Sequence, residues 1–511
     1  MFQTYEPDEF TVFDTLASER DLAEMWNGIV WAQVRDVVTD LQNDIAQAAG
    51  KYRLLEIARL QHRLTGLPEA KLLAVRTILK KKSRHTPGID GILWTTPAEK
   101  MYAALHLDRS RYRASPLLRF YRPRAEPGKM RPIGIPTMND RAMQMLFTFA
   151  LQPVAETWGD PHSYGYRLSR SAKDAGRVIR EYLTRAQKPV WILDADIEDC
   201  FDQISHRWLL RNIPLDRPSL KKMIASGYVY DDEYHPVSGG IPQGGIISPI
   251  LANMTLDGME TILDGGCCQA TDSGRTSSSG PVPEIRFVRY ADDFIVMAES
   301  KGLIEDAYDR ISRFLSRRGL WLSPAKTRIV SAKDGFDFLH WHFAGSGPGV
   351  SVTPSEVSVD HMHTRIGEIF NNFRFAFPDD PIRLLNPLLR AFAYYHRDTD
   401  AEPVFRSLDA VIRYRLAYLW RNFHSGQITR PVEIFRNLMV PEERVIRPGR
   451  EQLFLLSSVI RSNTLPEHRG NISSSNGAGK KTLNGVYFSG GMGVRRWNKT
   501  VKIRWAISDY L

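Results

Sequence analysis

Asp292 and Asp293 stand side by side between two runs of β-forming residues, Ile285-Arg286-Phe287-Val288-Arg289-Tyr290 before them and Phe294-Ile295-Val296-Met297 after them. Such a pattern predicts a strand, a tight turn and a second strand. Two adjacent negative charges at a turn repel each other, and a bound cation offsets that repulsion. A second acidic site lies upstream in Val190-Trp191-Ile192-Leu193-Asp194-Ala195-Asp196-Ile197, an apolar run fit for a buried strand that turns acidic at its carboxyl end. Residues two apart on a strand share a face, which puts Asp194 with Asp196. Carboxylates converging from neighbouring strands suit hard Mg2+ ions, which take oxygen ligands and keep part of their shell for water and phosphates. Two such ions roughly 3.5–4 Å apart activate an attacking hydroxyl and stabilise a departing pyrophosphate. The chemistry implied is nucleotidyl transfer.

An aspartate strand followed much later by Tyr290-Ala291-Asp292-Asp293 resembles the polymerase palm of reverse transcriptases. Between the two acidic sites, Gly240-Ile241-Pro242-Gln243-Gly244-Gly245-Ile246-Ile247-Ser248-Pro249 is similar to that family's Pro-Gln-Gly segment, with a helix after it carrying Leu251, Ala252 and Asn253. Glycines there let backbone approach a nucleotide or template. Gly128-Lys129-Met130-Arg131-Pro132-Ile133-Gly134-Ile135-Pro136, followed by Asp140-Arg141-Ala142, resembles the fingers of group II intron reverse transcriptases. Thr86-Pro87-Gly88-Ile89-Asp90-Gly91, Ser163-Tyr164-Gly165-Tyr166-Arg167, Leu322-Ser323-Pro324-Ala325-Lys326-Thr327 and Phe336-Asp337-Phe338-Leu339 match further blocks of that lineage in family order.

The resemblance implies roles position by position. Asp196, Asp292 and Asp293 match the metal-binding carboxylates, with the backbone of Ile197 beside them, and the implied cofactor is a pair of Mg2+ ions for which Mn2+ can substitute. Asp194 reads as a strand-end residue, exposed or salt-bridged, because the family motif places the ligand at Asp196. Phe201 falls where the family sets an aromatic ring against the nucleotide sugar, leaving no room for a 2′-hydroxyl. Lys129 and Arg131 fit the triphosphate-gripping cations, since alternation along a strand aims both at one face. Gln243 matches a residue that touches the incoming nucleotide, and Lys326 one suggested to protonate the leaving pyrophosphate. Arg167, Gly244, Tyr290, Leu339 and His340 fall at positions facing template or primer. One departure stands out: the family commonly has glycine after Phe-Leu in the primer-grip block, and here His340 puts a side chain there. His340, His342, His361 and His363 repeat a two-residue spacing conceivable for a metal, with no cysteine nearby.

The remainder of the chain has to position these groups. A length of 511 residues suggests about three domains, and a net charge of +10 suits a polyanionic partner. Cys200, Cys267 and Cys268 form no disulfide framework and no zinc spacing, which fits a reducing cytoplasm. No membrane span or signal peptide is evident in the sequence. Residues 1–85 read as a helical amino-terminal extension: Trp26, Ile29, Val30, Val34, Val37, Val38 and Leu41 follow a helical period after a Ser18…Asp21 cap, and the segment ends in Lys80-Lys81-Lys82-Ser83-Arg84. Residues 86–345 read as fingers and palm, with a Gly/Ser-rich loop over 264–283. Residues 346–440 resemble the helical thumb, or maturase domain, dense in arginine and aromatics. Residues 441–511 form a basic appendage ending in Val494-Arg495-Arg496-Trp497-Asn498-Lys499, without a recognisable endonuclease motif.

The expected fold is α/β (α+β), a right-hand polymerase with fingers and palm around an antiparallel sheet between helical extension and thumb. The expected activity is RNA-directed DNA synthesis from a primer of RNA or DNA with dNTPs, serving intron splicing and mobility, with a cognate structured RNA as a further partner. Two alternatives stay open: a free-standing polymerase used in phage defence or DNA repair, and an RNA-binding maturase whose synthesis is incidental.

Overall fold

The computed structural model describes residues 18–123, 130–263, 285–372, 379–423 and 453–459. Its strands in chain order are β1 (Leu117–Pro123), β2 (Met130–Ile135), β3 (Trp191–Ala195), β4 (Tyr228–Tyr230), β5 (Glu233–His235), β6 (Ile285–Tyr290), β7 (Asp293–Ala298), β8 (Arg328–Ser331), β9 (Phe336–Phe338), β10 (Trp341–Ala344) and β11 (Ser351–Pro354). They form three sheets, ordered β6-β7-β3-β8, β2-β1-β4-β5 and β11-β10-β9.

The first sheet is antiparallel throughout and buried on both faces. Alternation along β7 explains this: Phe294, Val296 and Ala298 enter one core, while Ile295 and Met297 enter another. The first core is closed by the helices Met138–Trp158 and Lys301–Ser316, and the second by the helix Ala172–Arg185 together with β9 and β10. A double-sided burial of this kind reads in sequence as a continuous apolar run, as β3 and β7 do. The fingers sheet differs from the expected pattern in one joint, because β1 pairs parallel with β4.

The described part of the amino-terminal extension holds four α-helices, Glu19–Asn27, Trp31–Gly50, Leu54–Gly66 and Pro68–Leu79. Ser18 and Asp21 form the expected capping box. The single apolar stripe expected from Trp26 to Leu41 is broken, since the first helix ends at Gly28 and a new one starts at Trp31. Val34, Val38 and Leu41 are buried, whereas Val30 and Val37 face solvent. Carboxyl-terminal to the palm, the helices Glu356–Asn372, Asp379–His396 and Glu402–Phe423 pack a third core around Leu389, Phe405 and Leu408. Among the described residues no helix is long and apolar enough to cross a membrane. Lys129, Cys267, Cys268, the Gly/Ser-rich loop and the basic tail lie outside the described residues.

Candidate active site

β3 and β7 are neighbours, with Ala195 opposite Phe294 and Asp194 opposite Ile295. That register delivers Asp196, just past the end of β3, to the turn that joins β6 to β7. Tyr290 pairs with Asp293, leaving Ala291 and Asp292 as a two-residue turn. Two-residue hairpins need positive φ in the turn, and Ala291 supplies it at φ 59°.

The three carboxylates feel one another. Burial raises the Asp292 carboxyl above its ordinary range, and the charge of Asp196 adds to the effect. Asp293 is pushed up to about 7, by the protein around it first and then by the charges of Asp292 and Asp196. Crowding of this kind disfavours charge on Asp292 and Asp293 unless a cation is bound, and three hard oxygen donors fit a divalent ion of the Mg2+ type. Among the described residues, no group of three or more carboxylate, imidazole or thiol side chains is closed up in ligand geometry. Lys326 instead donates to Asp196 Oδ2 at 2.9 Å, so the ammonium stands where a cation would add its charge. Asp194 sits opposite Arg328 and accepts from its Nε at 2.8 Å, the salt-bridged strand-end role expected of it.

Fingers and palm meet at the same place. Arg131 Nε donates to Gln243 Oε1 at 3.2 Å, and Gln243 Nε2 donates to Asp202 Oδ2 at 3.0 Å. Asp202 shares a short helix with the half-buried Phe201, whose carbonyl accepts from Ile241 N at 2.6 Å. The positive charge of Arg131 also bears on Asp292. Gly134 N donates to the Gln243 carbonyl at 2.7 Å, and Gly244, at φ 114°, lies against the Gly134 carbonyl with no space for a Cβ. The close approach expected of Gly244 is therefore to the fingers strand. The side chain of Ile197 is buried, while its backbone stands opposite Leu322 in an isolated bridge whose hydrogen bonds are made by Asp196 and Glu198.

Two expectations need correction. Arg167 is buried, with its guanidinium paired to Glu156 at 2.9 Å and donating to the Asp160 carbonyl at 2.7 Å, so it holds protein together and has no free face for nucleic acid. His340 does not simply replace a glycine with bulk. Leu339 and His340 form the two-residue turn between β9 and β10 at φ 50° and 65°, so the histidine adopts the left-handed conformation that a glycine takes without strain. The Leu339 carbonyl accepts from the Tyr395 hydroxyl at 2.8 Å, and the His340 carbonyl from Ser355 N at 2.9 Å, which ties this turn to the carboxyl-terminal helices. Tyr290 is half-buried against the second core.

The group that sequence reasoning passed over lies beneath the acidic turn. Arg289 is fully buried, and its guanidinium reaches Asn253, Asp257 and the Ala291 carbonyl. A lone arginine inside the apolar run Phe287-Val288-Arg289-Tyr290 was the available signal, because a charge in a two-sided strand needs buried partners.

Known proteins now bear on this arrangement. The family described as reverse transcriptase (RNA-dependent DNA polymerase) matches residues 122–343, and the N-terminal domain of reverse transcriptase matches residues 26–107. Protein YkfC of Escherichia coli is 30% identical over 334 residues, covering 59% of this chain and 87% of that protein. The chain belongs to the reverse transcriptase family. The family's activity is RNA-directed DNA polymerisation, and its members work with divalent metal ions. Within the family, the relatives mark a group II type. Group II intron-encoded protein LtrA of Lactococcus lactis is 32% identical over 197 residues, covering 37% of this chain and 32% of that protein. The putative COX1/OXI3 intron 2 protein of Saccharomyces cerevisiae is 25% identical over 56% of this chain and 38% of its own length. The chain thus spans about a third of the length of those two intron proteins.

Proposed function

We propose that this reverse transcriptase extends the 3′ end of an RNA or DNA primer on an RNA template, at Asp196, Asp292 and Asp293. The observation that carries the reading is the β3–β7 pairing, which puts carboxylates separated by about a hundred residues of chain within electrostatic reach of one another. Asp196, Asp292 and Asp293, with the Ile197 carbonyl, would hold two Mg2+ ions, or Mn2+ in their place. Ions bound there would lower the pKa of the attacking hydroxyl and neutralise charge on the leaving pyrophosphate. Arg131, with Lys129, grips the triphosphate, and its bond to Gln243 sets the angle of the guanidinium. Phe201 closes the space beside the sugar and selects deoxynucleotides. Lys326, whose ammonium donates to Asp196 Oδ2 at 2.9 Å, would serve as proton donor to the leaving pyrophosphate. The turn of Leu339 and His340, the Tyr290 ring and the backbone at Gly244 guide primer and template.

The intron-encoded relatives support a role in splicing and mobility of a group II intron, with that intron's structured RNA as partner, over the free-standing and maturase-only alternatives. A reducing cytoplasm is the proposed compartment. The test is primer extension on an RNA template with wild type and Asp292→Ala. Synthesis should vanish in the variant while RNA binding stays near wild type. Retained synthesis would refute the site assignment.

A further inference from the structure

The Ala291–Asp292 turn holds Ala291 in a backbone conformation that a non-glycine residue does not favour. A non-glycine residue in the left-handed region is disfavoured, and Ala291 lies there at φ 59°. Something must hold the turn closed, and the groups that do so sit directly below it.

Arg289 is the centre of that support. Its Nη1 donates to the Ala291 carbonyl at 3.2 Å and to Asn253 Oδ1 at 3.1 Å, while Nη2 pairs with Asp257. Asn253 in turn donates through Nδ2 to the Gly165 carbonyl at 2.8 Å. Gly165 reaches the turn because the chain just before it pairs with β6: Arg289 N donates to the His162 carbonyl at 2.9 Å, and Tyr164 N to the Arg289 carbonyl at 2.8 Å. A Cβ on Gly165 would collide with Ala291 N and lie 2.9 Å from the Tyr290 carbonyl carbon. The turn is thus clasped between a guanidinium fork and a glycine, and one asparagine joins the two.

The energetics argue that this support serves placement. A buried ion pair contributes little net stability, because desolvating both charges offsets their attraction, and a well-packed apolar pair does as well. What apolar side chains cannot do is direct hydrogen bonds at one carbonyl, and a rigid fork reaching three acceptors fixes position in a way that packing does not. The carbonyl so held belongs to the residue immediately before Asp292.

We propose that Arg289 is the positioning residue of the site, holding the Ala291–Asp292 turn so that Asp292 and Asp293 stand over Asp196, with Asn253 and Asp257 as its supports. The proposal rests on the polymerase reading of those carboxylates. Arg289 touches no substrate, and its effect passes through the geometry of the acidic turn to ion binding and to the reaction.

The test measures Mn2+ binding to the full chain by electron paramagnetic resonance, alongside single-nucleotide primer extension, for wild type, Arg289→Lys, Asn253→Ala and Asp292→Ala. Arg289→Lys keeps a positive charge against Asp257 and loses the fork. The Mn2+ dissociation constant should rise, and kcat fall, by about tenfold or more, as is typical when the outer support of a metal ligand is lost. Affinity for primer–template should stay within about twofold, because no nucleic-acid contact is altered. Asn253→Ala leaves the ion pair in place and should weaken Mn2+ binding by a smaller factor. If Arg289→Lys does not fold, Asn253→Ala decides alone. Folded variants that bind Mn2+ as tightly as wild type would overturn the proposal. Wild-type protein that binds Mn2+ through Asp292 but makes no DNA would sink the polymerase reading instead, and the binding comparison would still judge Arg289.

Discussion

Gly165→Ala is the sharpest perturbation the structure offers, because it adds one methyl group and changes no charge. The φ of Gly165 lies outside the left-handed region, so alanine there meets no left-handed strain. Its Cβ would collide with Ala291 N and lie 2.9 Å from the Tyr290 carbonyl carbon and 3.0 Å from the Ala291 Cα. All three are backbone atoms of the acidic turn and cannot rotate aside. Relief therefore requires the turn, and Asp292 with it, to move by on the order of 1 Å, and a displacement of that size lowers kcat by roughly a hundredfold. Expressed as a barrier, the loss is about 2.7 kcal/mol. Single-nucleotide incorporation at saturating dNTP and divalent ion measures it, and thermal unfolding shows whether the variant remains folded. A folded variant with kcat within about threefold of wild type would refute the reasoning, since the methyl would then have been absorbed without moving the carboxylates.

Four further outcomes are expected. Because Asp293 is pushed up to about 7, below that pH a divalent ion must displace a proton; apparent Mn2+ affinity should therefore rise by up to roughly tenfold per pH unit from 6 to 7 and flatten above, with a flat titration across that range counting against the coupling. The same shift makes the ion-free protein lose stability as pH rises from about 4 to about 7, because the unfolded carboxyl has already released its proton, and denaturant unfolding at pH 5 and 8 gives the sign. His340→Gly removes a left-handed non-glycine residue at φ 65° and should raise stability by about 1 kcal/mol in denaturant unfolding; a loss would mean that the imidazole's packing outweighs the strain. Phe201→Val should raise ribonucleotide incorporation relative to deoxynucleotide by about tenfold or more in competition assays, and unchanged discrimination would remove Phe201 from the sugar pocket.

The candidate site was legible in its acidic residues: Asp196, Asp292 and Asp293 stand out by type, by their place at strand ends and by the apolar runs before and after them. The same holds for β3, β6 and β7, whose continuous apolar character follows from burial on both faces. Arg167 and Arg289 show the limit. Each is an arginine beside a recognisable block, and each is spent on partners within the protein, Arg167 on Glu156 and Arg289 on Asn253 and Asp257. Neither fate is written locally, since Arg289 and Asn253 are separated by 36 residues of sequence.

His340 shows a different limit, because its identity marks a departure from glycine whereas its φ of 65° depends on the register of β9 with β10. Residue type and short-range spacing thus marked the candidate acidic groups and the strands that carry them, because those requirements are local to a few residues. Only the tertiary structure decided that Lys326 rests on Asp196, 130 residues away, and that Arg289, Asn253 and Gly165 clasp the acidic turn. Pairings of that kind depend on how distant segments pack, and the free energy that selects them exists only once the chain has closed around the site.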